Sequence, residues 1–251
     1  GQWILQNESE IERILDNPEA VLKVIETDEE VSVFPGGGRD RGFKTISKSI
    51  SCDLIFPVLH GSYGEDGTIQ GLLEIAQIPY VGCGVMSSAL TMDQEKTKQV
   101  WQNANLPVVP FVCIKKHDFF SNSIKNTLIT KAEKELKYPM FIKPCNAGSS
   151  IGTSKAGDRG LLEKALKDAF LWDEKVLIEP FIQAREIECS ILGNYEPIVS
   201  VLGEITPNHE FYDYEAKYND PHGANFHIPA LINTEQTEKI RQLAQEAYKA
   251  V

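Results

Sequence analysis

The sequence predicts an α/β unit followed by a layered α+β region, and three observations carry that expectation. A continuously apolar run, Leu54–Leu59, leads into a glycine-rich loop and then an amphipathic helical pattern, the parts of one α/β unit. From Val108 to Phe181 the apolar segments follow a β-α-β-β-α-β order. Beyond them Arg185–Leu192 alternates strictly between polar and apolar residues, as a half-buried strand does.

With 251 residues the chain has room for more than one domain. Its net charge of -11, with lysines scattered rather than clustered, argues against a nucleic-acid partner or an acidic membrane surface. The five cysteines, Cys52, Cys83, Cys113, Cys145 and Cys189, are widely spaced and form no C-x-x-C pair, so neither a disulfide framework nor a zinc site is expected. No apolar run approaches the ~20 residues of a membrane span. The opening Gly1-Gln2-Trp3-Ile4-Leu5 lacks a signal-peptide layout, so the expected location is the cytoplasm.

Taken in order, residues 1–50 show a short helical pattern around Ile11–Leu15, strand-like Val21–Ile25 and Val31–Phe34, and the turn Pro35-Gly36-Gly37-Gly38. Leu54–Leu59 reads as a parallel strand buried on both faces. At its carboxyl end, where ligands sit in open α/β sheets, His60–Gly67 packs three glycines, a histidine and two carboxylates into eight residues. His60 either meets a ligand or ties down its own loop, and Glu65 and Asp66 can equally cap the next helix. Thr68 is the expected N-cap of a helix with Ile69, Leu72, Leu73 and Ala76 on one face and Pro79 beyond its end. Tyr80-Val81-Gly82 reads as a short strand and Ser87–Met92 as a helical turn; Asp93 caps a helix carrying Val100, Trp101 and Ala104 inward.

Val108–Lys115 is expected to be a strand, 118–135 a weaker helix, and Tyr138–Lys143 a strand entering the loop from Cys145 to Thr153. That loop joins Lys143 to Gly148, Ser149, Ser150 and Gly152. A fixed positive charge, hydroxyl and amide donors and a backbone free to bend are the ingredients of a phosphate cradle, or of an ordinary surface turn. Thr153–Ala156 returns as a strand, Leu161–Leu171 is an amphipathic helix, and Lys175–Phe181 is an apolar strand containing Glu179. In the alternating strand, Glu186 and Glu188 share a face that is either solvated or, at Glu186, part of a slot with Glu179 and Phe181. Pro197–Ile205 and Phe226–Pro229 read as strands and Glu235–Ala250 as a helix. The aromatic, charged segment Phe211–Pro221 has the makeup of a loop that closes over a ligand. His222 and His227 lack metal-binding spacing, and no metal ligand is assigned. The expected domains are 1–92 (α/β), 93–176 (central) and 177–251 (C-terminal), the last with a closing loop over 206–225.

These residues carry a resemblance. His60-Gly61-Ser62-Tyr63-Gly64-Glu65-Asp66-Gly67, Met92-Asp93, Phe141-Ile142-Lys143-Pro144, Gly148-Ser149-Ser150-Ile151-Gly152, Ile178-Glu179-Pro180-Phe181, Arg185-Glu186-Ile187-Glu188 and Phe211–Tyr218 resemble, in order and spacing, the motifs of D-alanine-D-alanine ligases. The resemblance implies an ATP-grasp fold holding ATP and Mg2+, with D-alanine as substrate and a homodimeric assembly. It implies that Lys143 contacts the ATP phosphates and that Gly148, Ser149 and Ser150 form a lid over them. Glu179, Phe181 and Ile182 face the adenine, Glu186 takes the ribose hydroxyls, and Lys217 reaches the transferred phosphate. His60 lies beside the first D-alanine, and Tyr218 hydrogen-bonds towards Ser149. The implied reaction phosphorylates one D-alanine carboxylate to an acyl phosphate, which the amine of a second attacks.

The sequence departs from the family pattern in two respects. Gln94 stands where the family has a lysine after Met-Asp, leaving Lys96 or Lys98 to supply the charge. The glycine-rich first strand and the metal-binding strand are not in this sequence, so the Mg2+ ligands are expected beyond it and the chain is expected to be incomplete for catalysis. The alternatives left open are a D-lactate or D-serine acceptor, or a non-catalytic nucleotide-binding fragment.

Overall fold

The structure is a computed structural model that describes residues 2–17, 24–121, 123–208 and 223–251. Contacts divide these into two units: the residues up to Leu59 with Gly67–Val85, and His60–Asp66 with Met86–Val251.

In the first unit, α1 (Glu8–Asp16) starts at Asn7, whose side chain accepts from the Ser9 amide. Strands β1 (Ser32–Val33), β2 (Phe43–Lys44) and β3 (Ser49–Ile50) form an antiparallel sheet, with α2 (Gly38–Arg41) between the first two. Helix α3 (Thr68–Ala76) buries Ile69, Leu73 and Ala76 against Phe43 and Ile78. Four expectations need correction. Tyr80-Val81-Gly82 forms no strand beyond the single bridge of Tyr80 to Ile55. Val24 and Ile25 form no strand, because the Gln6 side chain satisfies the Ile25 amide and carbonyl at 2.8 and 3.0 Å; residues 21–23 lie outside the described residues. Leu54–Leu59 is not a buried strand either: Ile55 makes a single parallel bridge to Tyr80, while Leu54, Phe56, Val58 and Leu59 are exposed. Ile55 packs half-buried against the core of Phe43, Ile69 and Leu73, but no further strand among the described residues covers the opposite face, and apolar composition alone does not bury it. Finally, the cap of α3 is Gly67 rather than Thr68. Its φ of +89° is a conformation glycine adopts without penalty, and Thr68 becomes the first helical residue.

The second unit opens with α4 (Val85–Met92) and α5 (Gln94–Asn103), the latter capped as expected by Asp93, which accepts from the Lys96 amide. Strands β4 (Val112–Lys115), β5 (Met140–Pro144), β6 (Ser154–Ala156) and β7 (Lys175–Pro180) form an antiparallel sheet in the order β4-β7-β5-β6. They are joined by α6 (Lys116–Phe119), α7 (Lys125–Leu136) and α8 (Arg159–Ala169), so the strands and α8 follow the order read from the sequence, while the single helix expected over 118–135 is divided into α6 and α7. Pairing of Val112 with Ile178, Ile142 with Ile178, and Met140 with Ala156 puts these apolar residues on one face. Buried positions at helical spacing, Ile129, Ala132 and Leu136 on α7 and Leu162, Ala165, Leu166 and Ala169 on α8, cover that face. Fully burying each large aliphatic side chain contributes about 1.5–3 kcal/mol. The same register leaves the other face polar: Lys143 opposite Leu177, Phe141 opposite Glu179 and Lys155, and Lys115 opposite Lys175.

The remaining strands are β8 (Glu186–Glu188), β9 (Ile191–Leu192), β10 (Ile198–Val199), β11 (Gly203–Pro207) and β12 (Ala224–His227), followed by α9 (Thr234–Ala250). They make one sheet in the order β12-β11-β8 and a separate β9-β10 pair. The single strands expected over Arg185–Leu192 and Pro197–Ile205 are therefore each divided. The division falls where Ser190 and Ser200 bond each other, Ser200 N to Ser190 O at 2.9 Å and Ser190 N to Ser200 Oγ at 3.0 Å, which diverts both chains between sheets. Helix α9 begins with a capping box in which Asn233 and Gln236 bond each other's backbone amides.

Candidate functional site

The polar face of the β4-β7-β5-β6 sheet opens on a cleft of about 670 Å³, lined among others by Lys143, Glu179, Phe181, Ile182 and Glu186. The volume suits a small-molecule site. Glu179 is only 6% exposed, an unusual place for a carboxylate unless it is paired. It is paired twice: Lys143 Nζ lies 2.7 Å from Oε2, and Lys98 Nζ lies 2.6 Å from Oε1 as an ion pair without hydrogen-bond alignment. The wall of the cleft is apolar, and Lys155 Nζ sits 3.9 Å from the centre of the Phe181 ring, a cation-π contact. The sequence reading grouped Lys143, Glu179, Phe181, Ile182 and Glu186, and the fold brings all five to this cleft.

Of the two lysines considered as replacements at Gln94, the structure separates the roles. Lys96 points outward to Gln99 and Glu95, whereas Lys98 is largely buried, near the Val109 carbonyl (3.4 Å) and the Phe111 ring (5.7 Å). Beside them Lys175 pairs with Asp93 and with Glu95, the latter at 2.9 Å. Burial opposes the charge on Lys175, but its hydrogen bonds to the two carboxylates outweigh that and hold its pKa above the usual value. This cluster pins the start of α5 to the polar face, as does the Gln94 amide bonded to the Cys145 carbonyl at 3.0 Å. On the same face Cys145 donates to Cys113; that bond, together with burial, keeps the Cys145 thiol protonated, and no disulfide forms among the described residues.

Glu186 stands at the far side of the cleft on β8, in register with Ile205. What fixes β8 is a pair that sequence reasoning missed. Buried Glu204 accepts both prongs of Arg185, from Nε at 2.6 Å and from Nη2 at 2.7 Å, and Arg185 also donates to the Leu231 carbonyl. The hydrogen bonds from Arg185 hold the Glu204 carboxyl below its usual range. Glu188 is exposed, the solvated reading of that position.

The glycine-serine loop borders a second cleft, of about 460 Å³, lined by His60, Gly61, Asn146, Gly148, Ser149 and Trp172, among others. His60, remote in sequence, thus lines the same cleft as Gly148 and Ser149. Glu65 accepts from the Gly61 amide at 2.5 Å and Asp66 from the Tyr63 amide at 2.8 Å, so both carboxylates tie down their own loop. Ser149 and Ser150 both have positive φ, +56° and +58°, a costly conformation for non-glycine residues that clusters at ligand clamps. Asp173 anchors the root of the loop: Oδ2 accepts from the Asn146 amide at 2.7 Å and from Nδ2 at 2.9 Å, and Oδ1 accepts from the Glu174 and Lys175 amides. Asp173→Ala should release this root, costing about 1–3 kcal/mol locally. Faster amide exchange over residues 146–152, with the sheet core unchanged, is the expected readout.

Lys217, Tyr218, the rest of Phe211–Pro221 and His222 lie outside the described residues. The described ends of the closing loop are held together, with Pro207 paired to Ala224 and the Asn208 amide bonded to the Gly223 carbonyl. Among the described residues there is no group of three or more potential metal-ligating side chains, and no helix is long and apolar enough to cross a membrane.

Comparison with known proteins places the chain in a family. Residues 1–83 match the family described as D-ala D-ala ligase N-terminus and residues 100–251 the one described as D-ala D-ala ligase C-terminus. The chain is 48% identical to a D-alanine--D-alanine ligase of Treponema denticola over all of its own length and 68% of the relative's. It is 43% identical to that of Treponema pallidum, spanning 63% of that relative. Among solved structures it resembles the VanG D-Ala:D-Ser ligase of Enterococcus faecalis (TM-score 0.78, 34% identity, 99% of this chain and 69% of that one). It also resembles the D-alanine-D-alanine ligase of Coxiella burnetii (TM-score 0.75, 29% identity, 100% of this chain and 64% of that one). The chain belongs to the D-alanine-D-alanine ligase family and has its ATP-grasp fold.

Proposed function

We propose that the protein joins two D-alanine molecules in an ATP-dependent reaction that serves peptidoglycan precursor synthesis, acting as a cytoplasmic homodimer with domains 1–92, 93–176 and 177–251. The observation that carries this reading is the convergence of buried Glu179, apolar Phe181 and Ile182, Glu186 and Lys143 on one cleft. That set fits ATP: a carboxylate for the adenine amine, apolar walls for the base, a second carboxylate for the ribose hydroxyls and an ammonium for the phosphates. ATP supplies the phosphoryl group that makes the first D-alanine carboxylate reactive. The chain's own residues hold and shield the reactants. Lys143 offsets charge on the phosphates, and closure of Gly148, Ser149 and Ser150 excludes water from the reactive carboxyl group. His60, on the cleft next to that loop, orients the first D-alanine. The family resemblance assigns Lys217 to the transferred phosphate and Tyr218 to Ser149. Mg2+ is part of the proposed reaction; among the described residues no group of three or more potential metal-ligating side chains is placed to hold it.

The test is D-alanine-dependent phosphate release by the full-length protein; ATP turnover indifferent to D-alanine would sink the reading. Competition among D-alanine, D-serine and D-lactate as acceptors settles the second substrate, a question raised by the likeness to a D-Ala:D-Ser ligase. Ser149→Ala should lower kcat roughly tenfold, about 1.4 kcal/mol, while changing ATP affinity little. Equal losses in both would reduce the loop to a structural turn.

A further inference from the structure

We infer that Lys98 is a positioning residue for nucleotide recognition, a fixed counter-charge that lets Lys143 leave Glu179 for the phosphates. The inference rests on the proposed ATP site and extends it. Both oxygens of Glu179 are occupied, one by Lys98 and one by Lys143. A lysine that reaches phosphates cannot also hold the carboxylate that recognises the base, so nucleotide binding requires one of these pairings to break. The two lysines differ in how firmly they are placed. Lys98 projects from α5, whose start is pinned by Lys175 to Asp93 and Glu95, and its side chain is 13% exposed; Lys143 borders the cleft at 23%. Lys143 is therefore the one that moves.

If Lys143 left a carboxylate with no other partner, Glu179 would be an uncompensated buried charge, which is strongly unfavourable. With Lys98 on Oε1, Glu179 keeps a counter-charge and its orientation while Oε2 becomes free to accept from the exocyclic amine of adenine. Loading the site is thus an exchange: Lys143 turns from carboxylate to phosphate, the adenine amine takes its place, and Lys98 remains. Gln94 makes the arrangement more consequential, because the first residue of α5 brings no charge of its own.

The experiment is calorimetric titration of the full-length protein with ATP and with purine riboside 5′-triphosphate, which has hydrogen in place of the 6-amino group. The unaltered protein should prefer ATP by roughly tenfold or more, the range of a hydrogen bond to a charged group. Lys98→Gln should erase most of that preference by weakening ATP alone, and Lys98→Arg should restore it. An equal loss for both nucleotides would place Lys98 on the phosphates and overturn the inference, as would an unchanged preference. Unaltered protein that binds neither nucleotide would overturn the ATP site itself, a different outcome. Should Lys98→Gln fail to fold, the Lys98→Arg titration still decides, since loss of preference with the charge retained contradicts the exchange.

Discussion

Glu179→Ala is expected to destabilise the protein by about 3 kcal/mol or more, the largest effect of any single substitution in the cleft. The reason is the company that Glu179 keeps. Its side chain is 8% exposed and faces two ammonium groups at 2.6 and 2.7 Å. Deleting the carboxylate leaves two like charges on one side of the sheet without the group that separates them. Lys98 is the more buried of the pair and has the less freedom to turn to water. The loss should appear as a lower urea midpoint at unchanged m-value. It should also be non-additive: combining Glu179→Ala with Lys98→Met removes one of the stranded charges and should recover 1 kcal/mol or more, roughly, of the loss. Strictly additive losses in the double variant would mean that the two side chains are not coupled. Glu179→Gln, which keeps the shape but not the charge, should fall between the extremes and should lose ATP affinity alongside stability.

How much of this was legible in the sequence depends on the range of the interaction. Lys143, Pro144 and the following glycine-serine loop are adjacent in the chain, and a strand ended by proline needs only local rules to be read. Glu179 was legible as an acid at the end of an apolar strand. Its burial was not, because burial follows from the β5-β7 register and from α5 lying against the polar face. Lys98 sits in a polar helix whose composition suggests a solvated surface, and its partner is distant in sequence. Arg185 and Glu204 are paired only through the β8-β11 register, which alternation within one strand does not reveal. Leu54–Leu59 shows the converse error: a run can have the composition of a strand buried on both faces and find a partner for one only, Ile55 packing on the core while Leu54, Phe56 and Val58 stay exposed. Local composition thus indicated what each segment prefers, while register decided which preferences were met.

Gly152→Ala should reduce turnover by roughly 30-fold to 1000-fold, about 2–4 kcal/mol in the closed loop, with little loss of global stability. Gly152 has φ of +69°, and a Cβ there would lie 2.6 Å from Trp172 Cδ1 and 2.9 Å from Pro144 Cγ. The indole can swing aside, being 62% exposed, but Pro144 is fixed at the end of β5. The strain would therefore be relieved by displacing the loop that carries Ser149. Gly148 provides the internal comparison. A Cβ at that position would meet Gly61 Cα at 3.6 Å and Glu65 Oε2 at 3.9 Å, ordinary contacts, so Gly148→Ala should be much the milder change. Adding Trp172→Ala to Gly152→Ala should rescue part of the loss by removing the nearer obstacle, leaving the positive φ and Pro144. The kinetic signature separates this from simple unfolding, since a displaced loop lowers kcat while the cleft around Glu179 still binds ATP. If Gly148→Ala proves as damaging as Gly152→Ala, crowding against Trp172 and Pro144 is not what seats the loop, and its glycines matter for mobility alone.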